Sequence, residues 1–160
     1  MPHLKLKSIR KKKTSRILIY GIGNPSRQDD ALGLLFTEYI KEWAESRGIA
    51  NISTDSNYQL NIEDALDISG KDVVIFADAS VEEMDSFSFR RIRPSKSIEM
   101  STHSMKPQSV LALCAELFGK TPDAYLLAIR GYSWEMSAQM TVKAGENLRA
   151  ALEHVKKLLC

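Results

Sequence analysis

Ile17-Leu18-Ile19-Tyr20-Gly21-Ile22-Gly23-Asn24-Pro25-Ser26-Arg27-Gln28-Asp29-Asp30 reads as a short apolar strand that runs into a tight glycine turn and ends on two adjacent carboxylates. A helix should begin at that point. The amino end of a helix carries positive partial charge and welcomes anions, so a bound phosphate would meet Asp29 and Asp30 there. The turn also lacks the third glycine of the dinucleotide fingerprint. Nucleotide binding is therefore disfavoured. Fixed carboxylates at the end of a strand suit a metal ion or general acid–base chemistry better.

The rest of the chain supplies a fold around this stretch. Ile17–Tyr20 is read as a buried strand, and the segment from Asp30 to about Arg47 as a helix stopped by Gly48, with Leu32, Leu35, Phe36, Tyr39, Ile40 and Trp43 near helical spacing. Ile49–Asp55 is a second strand and Ile62–Ile68 a short helix ended at Gly70. Asp72–Ala77 is apolar on both faces, as in a covered parallel sheet. Ser86–Ile92 alternates like an edge strand, and Lys106–Phe118 is a helix with Pro107 in its first turn. Ala124–Ile129 is another buried strand, and Thr141–Leu159 a long last helix with Val142, Leu148, Leu152, Val155 and Leu159 inward. Strands alternating with helices predict an α/β protein: a three-layer α/β/α sandwich around a mostly parallel, twisted sheet of about five strands.

At 160 residues, with 44% apolar and 26% charged side chains, one domain with a substantial core is expected. No apolar run approaches the ~20 residues of a membrane helix. Residues 1–16 hold seven Lys and Arg and no acid, which leaves 15 of the 22 basic side chains against all 20 acidic ones in the body. Residues 1–15 are expected to be a basic, disordered extension and 16–160 the single domain. No aromatic residue interleaves the basic run, so base stacking and a nucleic-acid partner are not expected. Cys114 and Cys160 form neither a disulfide framework nor a C-x-x-C metal pair, which fits a reducing cytoplasm.

In a sheet of this kind ligands bind beyond the carboxyl ends of the strands. Asp30 follows the first strand, Asp78 ends the Val73–Ala77 strand, and His103 precedes the Lys106–Phe118 helix. Two carboxylates and an imidazole from three loops make a face for a divalent transition metal such as nickel, zinc or iron, with positions left open for substrate. No H-E-x-x-H occurs, so a helix-borne zinc protease site is excluded. Each residue also has a plainer use. Asp30 can cap a helix, Asp29 can be solvated or bond backbone, Asp78 can cap a turn, and His103 can sit on the surface. Asn24 suits a turn, Cys114 the core, and His3, His154 and Cys160 have no assigned role.

Gly21-Ile22-Gly23-Asn24-Pro25 with Asp29-Asp30, then Tyr58-Gln59-Leu60 with Glu63 and Val73–Ala79, then Ser101-Thr102-His103-Ser104-Met105 resemble, in order and spacing, the signature blocks of the NiFe-hydrogenase maturation proteases. The resemblance runs from Ile17 to the last helix. It departs from the family at Gln28 and Ala31, where glycines often flank the acidic pair, and in the basic extension. It implies an endopeptidase, of the kind also described as aspartyl-type, that removes the C-terminal extension of a nickel-loaded hydrogenase large-subunit precursor. Asp30, Asp78 and His103 would bind the nickel presented by that substrate; another divalent metal can occupy the site in isolation. Either a metal-activated water attacks, or Asp29 or Asp30 acts as general base. Asp30, Asp78 and Asp29 are thus the catalytic candidates. The alternative is a checkpoint of the same fold that binds nickel and precursor without cutting. The sequence leaves the particular hydrogenase, the bond cut and the oligomeric state open.

Overall fold

The computed structural model describes Ile9 and residues 15–98 and 105–160. Five strands, β1 (Ile17–Ile22), β2 (Ile52–Asn57), β3 (Val73–Ser80), β4 (Phe87–Ile92) and β5 (Asp123–Arg130), form one sheet in the order β2-β1-β3-β5-β4. The first four in that order run parallel; β4 pairs antiparallel with β5 at the edge. The helices are α1 (Leu32–Ser46), α2 (Asp64–Ser69), α3 (Pro107–Phe118) and α4 (Val142–Leu159), and a single 3-10 turn, Gln28–Ala31, leads into α1.

The strand alternation sorts the core into two layers. Ile17, Ile19, Val73, Ile75, Tyr125 and Leu127 face α1 and α4, where they meet Phe36, Ile40, Leu148 and Val155. Leu18, Tyr20, Val74, Phe76 and Ala124 face α2 and α3, where they meet Ile68, Val110 and Cys114. Strands apolar on both faces need helices on both, and the result is the expected α/β/α sandwich.

Several boundaries differ from the sequence reading. β2 starts at Ile52 rather than Ile49 and continues to Asn57, because Ile49 still closes the end of α1, its N–H donating to the Ala44 carbonyl at 2.9 Å; the Asn51 side-chain amide ties the strand's entrance to the Ser15 carbonyl at 2.7 Å. β3 does not end before Asp78: it runs to Ser80, and Asp78 pairs with Ala128 of β5. Val142, expected inward, is 80% exposed, since the buried face of α4 runs through Ala144, Leu148, Ala151 and Val155 and Val142 stands on the opposite side of the helix; Tyr39 on α1 is 47% exposed. Ile9 lies within the span expected to be a disordered extension, yet it is 1% exposed and packed in the α1–α4 core layer. An apolar side chain among lysines gains by that burial.

Two glycines bring the layers close enough to build the carboxyl edge. A Cβ on Gly33 would lie 2.5 Å from the Ile22 carbonyl oxygen and collide with that of Ala77, so only glycine lets the start of α1 sit on the ends of β1 and β3. Gly23 has φ 150°, and a side chain there would strike the Asp30 carbonyl. The chain can therefore fold back tightly from β1 onto the 3-10 turn.

Candidate functional site

Asp30 comes from the 3-10 turn and Asp78 from β3, and both line one cleft of about 350 Å³ at the carboxyl edge of the sheet. Its other walls are Ile22 and Gly23, Tyr58–Leu60 after β2, and Met105–Pro107 at the start of α3. The walls are joined by a bridge in which the Met105 amide donates to the Leu60 carbonyl at 3.4 Å. Asp30 is not a helix cap: the caps of the 3-10 turn and of α1 carry no side-chain hydrogen bond. Its Oδ2 instead accepts the Asn24 backbone N–H at 3.0 Å. Asn24 has the turn-forming role, its Oδ1 accepting from the Ser26 N–H at 2.8 Å.

Asp78 is held in an unusual state. Burial, followed by the charge of Asp30, pushes its carboxyl up to about 7, against the opposing hydrogen bond from the Ala79 N–H. A pair of carboxylates in which one disfavours ionisation of the other is a site that a divalent cation would relieve, and a carboxyl near neutrality can also hold or accept a proton. A larger hollow, about 770 Å³, lies at the opposite edge. Its acids are engaged differently: Asp72 pairs with Arg16 at 3.5 Å and Asp123 with Arg91 at 2.7 Å.

No protein-family model matches the chain, and no curated protein sequence matches it. Solved structures do. HycI of Thermococcus kodakarensis KOD1, a NiFe hydrogenase maturation protease, is 25% identical over 91% of this chain and 92% of its own, with a TM-score of 0.70. The hydrogenase maturating endopeptidase HybD of E. coli is 21% identical over 88% of this chain and 89% of its own, at a TM-score of 0.68. HybD of T. kodakarensis, also a NiFe hydrogenase maturation protease, is 16% identical at a TM-score of 0.62, covering 89% of this chain and 98% of that one. The fold is that of the NiFe-hydrogenase maturation proteases.

Within this maturation-protease fold the candidate residues separate. Asp30 and Asp78 meet in the cleft. His103, the expected third metal ligand, lies outside the described residues; Met105, two positions later in the chain, lines the cleft. Among the described residues no three His, Cys, Asp or Glu side chains cluster as a metal site. Asp29 does not line the cleft at all. It is 0% exposed, and its carboxylate accepts the N–H groups of Tyr132, Ser133 and Thr141 and the Thr141 hydroxyl at 2.6 to 3.0 Å. Of the three catalytic candidates, Asp29 is thus placed away from the cleft: both of its oxygens are occupied by backbone and hydroxyl donors of the loop between β5 and α4. His154 packs between the rings of Phe87 and Phe89, with its pKa lowered by burial and by Lys157.

Two features of the site were not anticipated. Gln28 occupies left-handed backbone, φ 41°, at the position where the resembling family often has glycine. Two hydrogen bonds compensate: the side-chain Oε1 accepts the Glu135 N–H at 3.0 Å, and the Gln28 backbone N–H donates to the Ser137 carbonyl at 2.7 Å. Lys106 brings a cation to the cleft wall; its place beside Pro107, at the start of a helix that opens on the site edge, was the available signal. No helix among the described residues is long and apolar enough to cross a membrane.

Proposed function

We propose that this protein is an endopeptidase that removes the C-terminal extension of a nickel-loaded NiFe-hydrogenase large-subunit precursor, in the cytoplasm. The observation that carries the reading is the Asp30–Asp78 pair facing one cleft, in a fold shared with maturation proteases. Two hard carboxylate donors fit a divalent cation, and His103 would add the imidazole that favours nickel over magnesium or calcium. Nickel enters with the substrate, so a site of three donors distinguishes a loaded precursor from an empty one. Bound nickel supplies Lewis acidity and charge. The chain's own contribution is to orient the scissile peptide along the cleft and to move a proton. In the metal-free site the Asp78 carboxyl, raised to about 7 by burial, can hold that proton until a cation displaces it.

Mass spectrometry of the precursor, incubated with the protein with and without nickel, tests this directly. The expected result is one shortened product with nickel present, and its loss in Asp78→Asn and in His103→Ala. Undiminished cutting by both variants would overturn the site. A stable complex whose substrate mass never changes would replace the protease by a non-cleaving checkpoint.

A further inference from the structure

Asp29 and Asp30 are neighbours with opposite surroundings. A 3-10 turn has about three residues per turn, so successive side chains point in widely different directions. Here Asp30 reaches the cleft, while Asp29 is fully buried against the loop 131–141. That loop is joined to the entrance and first half of the turn, Arg27 to Asp29. Besides the four bonds to the Asp29 carboxylate, the Asp29 N–H donates to the Ser133 carbonyl at 3.1 Å. Gln28 clasps Glu135 and Ser137, and the Arg27 Nε donates to the Trp134 carbonyl at 3.2 Å. Gly131 leaves no slack, since a Cβ there would come within 2.8 Å of the Asp29 Cβ.

From this arrangement we propose that Asp29 is a positioning residue: by fastening the 3-10 turn to the loop 131–141, it fixes where the Asp30 carboxylate stands in the cleft. A buried carboxylate is costly to maintain without partners, and four donors gathered from residues 132, 133 and 141 are what a rigid support for the adjacent ligand requires. Groups that orient a ligand from behind typically change metal affinity by about 10–100-fold when lost. The inference rests on the reading of Asp30 and Asp78 as nickel-binding carboxylates only where nickel is the readout. The placement of Asp30 has a readout of its own, the Asn24 N–H that bonds its Oδ2.

The experiment compares the wild-type chain with Asp29→Asn, which keeps the size but replaces an acceptor by a donor facing donors. Amide hydrogen exchange by NMR follows Asn24, and calorimetric titration with nickel(II) alone follows binding. Expected are an Asn24 amide that exchanges at least about tenfold faster and a nickel affinity lower by about tenfold or more, in a protein with unchanged helix content by circular dichroism. Faster exchange confined to residues 131–141, with Asn24 and nickel binding as in wild type, would show a local structural role and overturn the proposal. If Asp29→Asn does not fold, Thr141→Val decides: it deletes one of the four bonds together with the α4 cap bond from the Ala144 N–H, and the Asn24 amide is expected to exchange about threefold faster, with Thr141→Ser as wild type. An unchanged Asn24 amide in Thr141→Val overturns the proposal. A wild-type protein that binds no nickel, yet loses Asn24 protection in Asp29→Asn, refutes the metal reading and leaves the positioning role standing.

Discussion

Replacing Asp78 by Asn should make the metal-free protein more stable, and only at pH values where a carboxylate would be charged. The Asp78 carboxyl is moved from 3.8 to about 7, chiefly by burial and secondarily by Asp30. Because the folded-state pKa lies above the unfolded one, the cost to folding is absent below about pH 4, grows as the pH rises through this window and is complete above about 7. At about 1.4 kcal/mol per pH unit the ceiling is about 4 kcal/mol. The carboxyl borders an open cleft that water enters, so about half of that, roughly 2 kcal/mol, is the expected gain. Asn retains an oxygen for the Ala79 N–H that bonds Asp78 Oδ1 at 2.8 Å, and no packing is lost. Urea unfolding in a chelator would be measured at pH 4.5 and pH 8. The predicted result is a gain of about 2 kcal/mol at pH 8, or roughly 4–8 °C in melting temperature for a chain of this size, shrinking towards zero at pH 4.5. Asp30→Asn should give a smaller gain, since its charge is the lesser cause. Destabilisation at pH 8, or an equal change at both pH values, would refute the reasoning. Stability gained by deleting a site residue is the usual sign that function holds that residue in an unfavourable setting.

Gly33→Ala should cost about 3 kcal/mol in urea unfolding, because the new Cβ meets the backbone carbonyls of Ile22 and Ala77, which cannot swing aside; a midpoint within error of wild type would show that the α1–sheet contact is looser than described. At Gln28 the left-handed backbone penalises any side chain by roughly 1–2 kcal/mol, so Gln28→Ala keeps the strain, loses the Glu135 bond and should fall by about 1 kcal/mol. Gln28→Gly loses the bond but sheds the strain and should stay near wild type; the reverse ranking in chemical denaturation would disprove this account. Cys114 is fully buried, donates to the Ala65 carbonyl at 3.3 Å and has its thiol pushed up to about 11, while Cys160 is exposed. A thiol reagent should therefore label Cys160 in the folded chain and Cys114 only on unfolding; equal labelling rates would count against it.

Much of the architecture is local information. Apolar runs such as Val73–Ala77 cannot be half-exposed strands, so helices must cover both faces. The glycine turn after β1 and Pro107 at the start of α3 mark element ends through backbone chemistry alone. Places where the reading slipped were those set by neighbours. The Asp78–Ala128 register extends β3 through a residue that looked like its end, and Val142 is exposed because α4 turns Ala144, Leu148 and Ala151 towards the sheet and Val142 away from it.

The acidic pair shows the division best. By itself the sequence determined that two carboxylates follow a strand and a tight turn, at the edge where an α/β sheet binds ligands, because strand, turn and apolar periodicity are properties of consecutive residues. The family resemblance favoured Asp30 over Asp29, but consecutive residues alone give no physical reason why one of the two faces the cleft. That depends on Tyr132, Ser133 and Thr141, more than 100 positions away, whose donors converge on Asp29 and leave Asp30 to share the cleft with Asp78. Burial and Coulomb repulsion act through space, so the shifted carboxyl of Asp78 and the buried carboxylate of Asp29 exist only once the sheet has brought distant segments together.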